Sequence, residues 1–535
     1  MKAEQPLQLV GVISVESVNV KFSIISSSNG NVLIESSKPV ELIKLYPEWV
    51  EVDPESIWNS LKIIIEEVIN ELISNDISLD CIKVISIINE RDTVVAWDSE
   101  TNKPLYNAIH YSDNRTDSII QDYVSKDPNV FKYVEEITGL KVVSMFSALK
   151  LKWLFENVDN IKISTVKETV KFGTLDTWLT WKLTNRNLYI TDVTNASRTL
   201  LMNLKTLKWS EKACKIFNIP FSLLPTIKSN SELYGKINIT RLKGIMIGAI
   251  IANHQAAFYV KCRSFGQVMS RYNDSCITSC NIGNEVIQSK HGLITSVAYQ
   301  IGNESVSYAL EGWTSVGGKI TEWLKNNMKI INSEDELKTL DIDVSDIYIV
   351  PAFNGLATPY WRPDATGIIC GMTHYTNKKH IIRASLESIC FHTKDICIAL
   401  QKDIGITTSQ LMVDGKYSCY DILLNYQADI LGANIRRLHA TDMAIYGAAE
   451  IGAKSVGLEF NDTNSSDFIS KPTTTENERN NRYYKWLKAV RRSCGWKKPV
   501  QIDKKLNKFD IFSTNILSTA YLVAMMGMMV ISDNK

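Results

Sequence analysis

Residues 7–24, LQLVGVISVESVNVKFSI, alternate apolar and polar side chains, meet the turn SSSNGN and continue as VLIESSK. A period of two followed by a Gly/Asn turn is the pattern of a β-hairpin that opens a sheet. The next segments narrow the fold. Pro54–Ile73, PESIWNSLKIIIEEVINELI, has apolar residues at helical spacing, with Asp53 as the expected N-cap and the proline in the first turn. CIKVISII at 81–88 then reads as a buried strand. Strand pairs followed by helices recur after residue 164 and again after 295. Such a chain folds as mixed α/β in two similar halves, not as an all-parallel dinucleotide-type sheet. At 535 residues it also exceeds one ordinary core, and two domains of about 250 residues each are expected.

Charge is balanced, 59 Lys+Arg against 58 Asp+Glu for a net +1, which gives nucleic acid no electrostatic footprint to bind. The 45% hydrophobic and 22% charged residues fit an ordinary globular protein. Cysteines are scattered with no CxxC pair, and no second pair at zinc-ligand spacing follows Cys276 and Cys280. Free thiols in a reducing cytosol and no metal site are the expectation. The start, MKAEQPLQLVGV, has no basic-then-apolar leader, so secretion is not expected.

At the other end, Ile511–Ser532 contains no charged residue and follows a basic stretch with Lys498, Lys504, Lys505 and Lys508. That length and flank suit a transmembrane tail anchor over 511–532 behind a basic linker at 498–510. The competing reading is an amphipathic or oligomer-facing helix, because Ser, Thr and Asn dilute its first half. The polar run 461–482 is expected as a surface connection into a last amphipathic helix, YYKWLKAVRRSCGW.

One junction points to chemistry. GIMIGAII at 244–251 leads into ANHQAAF, a strand entering a helix. α/β enzymes place reacting side chains at such turns, where the helix N-terminus faces a crevice. The residue at the turn is Asn253, an amide and not a carboxylate.

Several stretches together carry a resemblance: WDSETNKPLYNAIHYSDNRT (97–116), MFSALKLKWL (145–154), FGTLDTWLTWKLT (172–184), TDVTNASRTLLMNL (191–204), VPAFNGLATPYWRPDATGIICGMT (350–373), RASLESICFHTKDI (383–396), QADILGANIRR (427–437) and RRSCGW (491–496). In one register from about residue 8 to 497 the chain resembles the glycerol kinase branch of the FGGY carbohydrate kinase family. The resemblance implies two actin-like (ribonuclease H-like) α/β domains, 7–258 and 259–497, with Mg·ATP and a polyol such as glycerol in the cleft between them. It further implies that the hydrophobic tail resembles the anchor of family members on the mitochondrial outer membrane, which would leave the domains facing the cytosol. A homo-oligomer is compatible with it, and no protein partner is named by the sequence.

The resemblance also assigns positions. The family's N-Q-R-E-T reads NERDT here, which places Arg91 and Asp92 at polyol hydroxyls. Tyr111 stands at an aromatic wall position, Met145 replaces a tyrosine, and His254 replaces a glutamine that helps bind glycerol. Asn253 occupies the position of the family's base aspartate, and an amide nitrogen cannot accept the proton. His254 has a suitable intrinsic pKa, but a neighbouring residue in a helical turn points about 100° away. In the first phosphate loop, D-Q-G-T-T-S-S-R, Ser14 replaces the aspartate, Glu16 the glycine, Ser17 and Val18 the two threonines, and Lys21 the arginine. Glu16 is expected to point a carboxylate at triphosphate oxygens, and the hairpin to lose its close backbone approach. Asp274 adds a second carboxylate in the second loop, NDSC. Gly318 and Glu322 fall where the family starts a helix near the nucleotide, though glycine there also serves close packing. In the adenosine loop Gly415 remains, Lys416 fills the second glycine position and Tyr420 replaces an asparagine.

The scaffold segments therefore keep the family pattern while the nucleotide segments depart from it, and Mg·ATP binding is expected to suffer. Three readings follow: a glycerol kinase-like pseudoenzyme with phosphotransfer lost, an active glycerol kinase with an atypical active site, and an ATP-independent polyol sensor.

Overall fold

The strand Leu9–Glu16 is buried along its length except at Glu16, so both faces of its sheet must be covered. Alternate residues serve two different cores, as the period of two requires. Leu9, Ile13 and Val15 pack with Ile57, Leu61 and Ile64 of the helix Pro54–Ser74. Val10 and Val12 pack with Ala444, Ile445 and Ala448 of the helix Met443–Ser455, which comes from the far end of the chain. The computed structural model describes residues 7–496 apart from 17–18, 47, 315, 339–345, 438–441 and 462–467.

The first sheet runs Ser231–Lys236, Met246–Ala252, Ile82–Asn89, Leu9–Glu16, Asn19–Ser26, Val32–Pro39. Its last three strands are an antiparallel meander, while Leu9–Glu16, Ile82–Asn89 and Met246–Ala252 are mutually parallel. The hairpin expected at SSSNGN is present, pairing Asn19–Ser26 with Val32–Pro39, but the run 7–24 read as one strand is two, with Glu16 opposite Asn19. Asp53 caps the helix behind it, its Oδ1 accepting from the Glu55 N–H at 3.0 Å.

The second sheet runs Ile294–Tyr299, Ser307–Thr314, Cys276–Asn281, Val268–Tyr272, Gln410–Asp414, Asn434–Arg437, Phe468–Ser470. It repeats the logic of the first: an antiparallel set beginning at Val268–Tyr272, and parallel pairing of that strand with Gln410–Asp414 and then Asn434–Arg437. Two α/β lobes of one pattern result.

Each lobe sends a helix from its outer parallel strand to the middle of the molecule. Asn253–Lys261 follows Met246–Ala252 directly, and Met443–Ser455 comes after Asn434–Arg437. The two helices touch backbone to backbone: a Cβ on Gly447 would lie 2.0 Å from the Ala256 carbonyl oxygen. The Ser86 hydroxyl, from the first sheet, donates to the Ala448 carbonyl at 2.8 Å.

Two expectations are corrected. The last helix is Glu476–Ser493, so it starts within the run read as a surface connection. Its signal is a capping box: the Thr475 Oγ1 accepts from the Glu478 N–H at 3.3 Å and Glu478 accepts from the Thr475 N–H at 2.7 Å. The membrane tail is not upheld. Among the described residues no helix is long and apolar enough to cross a membrane. The linker 498–510 and the segment 511–532 lie outside those residues. Membrane partnership and placement on the mitochondrial outer membrane are withdrawn with it.

Because the two central helices meet at a position without a side chain, Gly447→Ala should force them apart. Urea unfolding should show a loss of about 1–3 kcal/mol. An unchanged midpoint would show that the helix contact is not under this constraint.

Candidate active site

Parallel strands bring their carboxyl ends to one edge of a sheet, and the residues just past those ends face whatever opposes that edge. Here Glu16 ends one of the three parallel strands of the first lobe and Glu90–Asp92 and Asn253 follow the other two, while Asn273–Ser275 and Lys416 follow two strands of the second. They line one cavity of about 220 Å³ together with Tyr111, Met145, Arg198, His254, Arg271, Ile277, Glu311 and Trp313. That volume is scaled to a small molecule, below the ~300–1,000 Å³ of pockets that hold drug-sized ligands.

One end of the cavity is a buried ionic quartet. Arg91 Nη1 donates to both Glu311 oxygens at 3.2 Å. Arg198 Nη2 donates to Asp92 Oδ2 at 3.1 Å and its Nη1 to Glu311 Oε2 at 3.3 Å. Gln255 adds a bond to Glu311 at 2.9 Å. Burial pushes the Glu311 carboxyl upward, but the Arg91 and Arg198 guanidiniums outweigh it and hold the group at about 2. Asp92 has a left-handed backbone, φ 72°, a costly conformation for a residue with a side chain. The Lys150 ammonium holds it, donating to the Asp92 carbonyl at 2.9 Å and to the Met145 carbonyl at 2.6 Å. Burial brings Lys150 down to about 8. Met145, Ile277, Trp313 and the Tyr111 ring give the cavity its apolar surface.

At the other end Asn253 opens its helix. Its side-chain amide donates to Glu16 Oε1 at 3.2 Å, and its carbonyl accepts from Arg271 Nη1 at 2.9 Å. Arg271 also approaches Glu16 at 3.6 Å, Asp414 at 3.6 Å and Asp442 at 3.4 Å. Glu16 thus does not face the cleft as an uncompensated carboxylate; it turns to an amide and a guanidinium. Its pKa is raised, chiefly by loss of water around it, with Arg271 opposing, Asp442 adding, the Asn253 bond opposing and Glu90 adding. His254 shares a hydrogen bond with Ser279 Oγ at 2.7 Å. Burial drives it to about 3, against the pull of Glu311 and with the push of Arg91, Arg271 and Arg198, so it stays neutral and is a poor base near pH 7.

Of the remaining expected positions, Asp274 and Lys416 line the cavity and the other described ones do not. Ser14 is buried in its strand opposite Lys21, and Lys21 pairs with Glu35 at 3.2 Å, outside the cavity. Ser17 and Val18 lie outside the described residues. Gly318 serves close packing: a Cβ there would sit 1.9 Å from the Tyr417 ring. Glu322 is exposed beyond it. Gly415 has φ +97°, and a Cβ would meet the Tyr272 carbonyl at 2.7 Å, so glycine is required. Lys416 reaches along the Tyr417 ring to Glu334 at 3.5 Å, and the Tyr417 and Tyr420 hydroxyls donate to the same carboxylate at 3.3 and 3.4 Å. Asp274 lines the cavity, and its carbonyl accepts from the Gly317 N–H at 2.8 Å.

Sequence reasoning missed Arg198, Glu311 and Arg271 as members of the site. The signal was there for the last two: each is a charge inside an otherwise apolar strand, SYALEGWT and VMSRY, and a buried charge requires a partner.

Two family models match the chain: the N-terminal domain of the FGGY family of carbohydrate kinases over residues 10–256, and the C-terminal domain over 272–456. A probable glycerol kinase of Caenorhabditis elegans is 38% identical over 502 residues, 91% of this chain and 99% of that protein. A glycerol kinase of Clostridium beijerinckii is 38% identical over 487 residues, 89% of this chain and 96% of the other. Among solved structures, Plasmodium falciparum glycerol kinase with ADP superposes with a TM-score of 0.82 at 32% identity, over 91% of this chain and 98% of that one. A Lactobacillus acidophilus gluconate kinase shares the fold at a TM-score of 0.76 and 20% identity, over 91% and 98% of the respective chains.

Glu311 is held ionised, with its folded pKa below its unfolded value, so its contribution is full above about pH 4.5 and is lost as pH falls toward about 2. Glu311→Gln leaves two buried guanidiniums short of charge and should cost about 3–5 kcal/mol at pH 7 by urea unfolding. The variant should also show a shallower loss of stability on acidification than the wild type. Equal slopes would remove Glu311 as the group responsible.

Proposed function

This chain belongs to the FGGY family of carbohydrate kinases, and we propose that it works there as a polyol kinase of glycerol kinase type with an atypical active site. In this reading residues 7–258 and 259–497 form its two domains, and the transferred group is the γ-phosphate of ATP. The observation that carries it is the buried ionic quartet of Arg91, Asp92, Arg198 and Glu311 in the wall of a cavity sized for a small molecule. Guanidiniums and carboxylates fixed in that way offer donors and acceptors to vicinal hydroxyls without reorganisation, and positioning supplies most of the catalysis of phosphoryl transfer. Similarity to glycerol kinases along almost the whole chain supports the same reading.

The nucleotide side works differently from the family pattern. Mg²⁺ has fewer carboxylates to meet than the resemblance implies, because Ser14 and Asn253 supply none, and it would be held chiefly through phosphate oxygens and water. The negative charge of a triphosphate falls to Arg271 and Lys416, which line the cavity from the second lobe. Phosphate oxygens would compete for Arg271 with Glu16, Asp414 and Asp442, which weakens nucleotide affinity without barring it. The carboxylate of Glu16, expected to repel phosphates, is offset in part by that same guanidinium, which it shares with Asp414 and Asp442.

A second reading, polyol binding without transfer, draws on Asn253, an amide where the family resemblance places the base. A coupled assay of ADP release and a thermal shift series separate the two. Glycerol-dependent ADP release supports the kinase. A rise in melting temperature with glycerol but no ADP release supports binding alone. Ligand at ~100 Kd stabilises by about 2.7 kcal/mol, so a cavity that takes glycerol must register it, and no shift with glycerol or ATP overturns both readings.

A further inference from the structure

A phosphoryl acceptor hydroxyl must give up its proton, and the cavity holds several carboxylates that could take it. Most are engaged. Glu311 is held between Arg91 and Arg198, and Asp92 is bound by Arg198 at 3.1 Å. Glu90 accepts from Thr93 Oγ1 at 2.7 Å and lies 3.2 Å from His110. His254, the imidazole in the cavity wall, is turned to Ser279 and held neutral by burial. Glu16 differs. It ends the central strand of the first sheet, lines the same cavity as Arg91 and Asp92, and keeps 32% of its side chain open to solvent. Its Oε1 accepts from the Asn253 amide at 3.2 Å, which orients the carboxylate at the start of the helix Asn253–Lys261.

We propose that Glu16 is the general base of this kinase, a carboxylate supplied from the strand end of the first lobe while Asn253 serves as its positioning residue. The inference rests on the polyol kinase reading above. The Glu16 carboxylate takes the proton of the polyol hydroxyl. The oxygen so freed forms the bond to the γ-phosphorus of ATP, the bond from that phosphorus to the bridging oxygen breaks, and its electron pair leaves with ADP. The groups that face Glu16 set its strength: Arg271 from the strand Val268–Tyr272, Asp442 from the cap of the helix Met443–Ser455, Glu90 from the end of Ile82–Asn89 and Asn253 from its own helix. Burial and the two acidic neighbours raise its proton affinity and Arg271 with the Asn253 bond lowers it, for a net rise.

The test compares wild type, Glu16→Gln and Glu16→Asp, each first shown by urea unfolding to be folded. Glu16→Gln should lower kcat by about 10²–10⁴-fold, and its residual rate should lack the acid limb of the wild-type pH profile. Glu16→Asp should recover part of the rate, because it keeps the carboxylate one methylene shorter. A second readout needs no turnover. Glycerol-induced thermal shifts between pH 5 and 8, without nucleotide, should weaken on acidification in wild type and stay flat in Glu16→Gln. A kcat within about threefold of wild type, or a retained acid limb in Glu16→Gln, overturns Glu16 as the base while leaving the kinase reading intact. Absence of glycerol-dependent ADP release from the wild type removes that reading and this inference together.

Discussion

Two helices can meet at backbone distance only where one of them lacks a side chain, and the architecture hangs on one such meeting. Gly447 lets Met443–Ser455 lie against the Ala256 carbonyl of Asn253–Lys261. Asn253–Lys261 follows the outer parallel strand of the first sheet directly, and Met443–Ser455, which comes after that of the second, packs on the first sheet, so their contact fixes how the two sets of strand ends confront each other. The cleft, its cavity and every ionic contact across it inherit that geometry. The ion pair between Glu311 of the second lobe and Arg91 of the first can be short because the distance between lobes is already set by hydrocarbon and backbone packing.

The cleft is also a lesson in charge accounting. Buried ions are tolerated in balanced sets, and removing one member costs more than the set contributes. Glu16 and Arg271 read separately suggest a site hostile to phosphate and a strand with a stray charge. Facing each other across the cleft with Asp414 and Asp442 behind, they belong to one network in which three carboxylates share a single guanidinium. A departure from a family's motif can therefore be half of a coupled exchange, and its meaning lies with the partner, which sits more than two hundred residues away in sequence.

Local chemistry was legible in the sequence. The turn SSSNGN located a hairpin, Asp53 before Pro54 located a helix start, and the strand-to-helix turn at Asn253 located the cleft edge. The duplicated α/β pattern gave two lobes. Less legible were effects that depend on partners remote in the chain: the turning of Glu16 toward Asn253, the tie of His254 to Ser279, and the recruitment of Lys416 and Tyr420 to Glu334. The capping box at Thr475 was legible but was masked by the polar composition around it, since a helix lying on the surface needs few apolar residues, here Trp486, Ala489 and Val490.

Lys150 bears on how such a site changes. Its ammonium grips the main-chain carbonyls of Asp92 and Met145, on two walls of the cavity, and not their side chains. The walls are spaced by the reach of one lysine, whatever side chains they carry. The backbone at 92 and 145 is then held independently of what its side chains do: Asp92 pairs with Arg198 and Met145 adds a thioether surface on a frame that Lys150 bounds. A cleft built in that way can drift in ligand preference while its shape is held constant from behind.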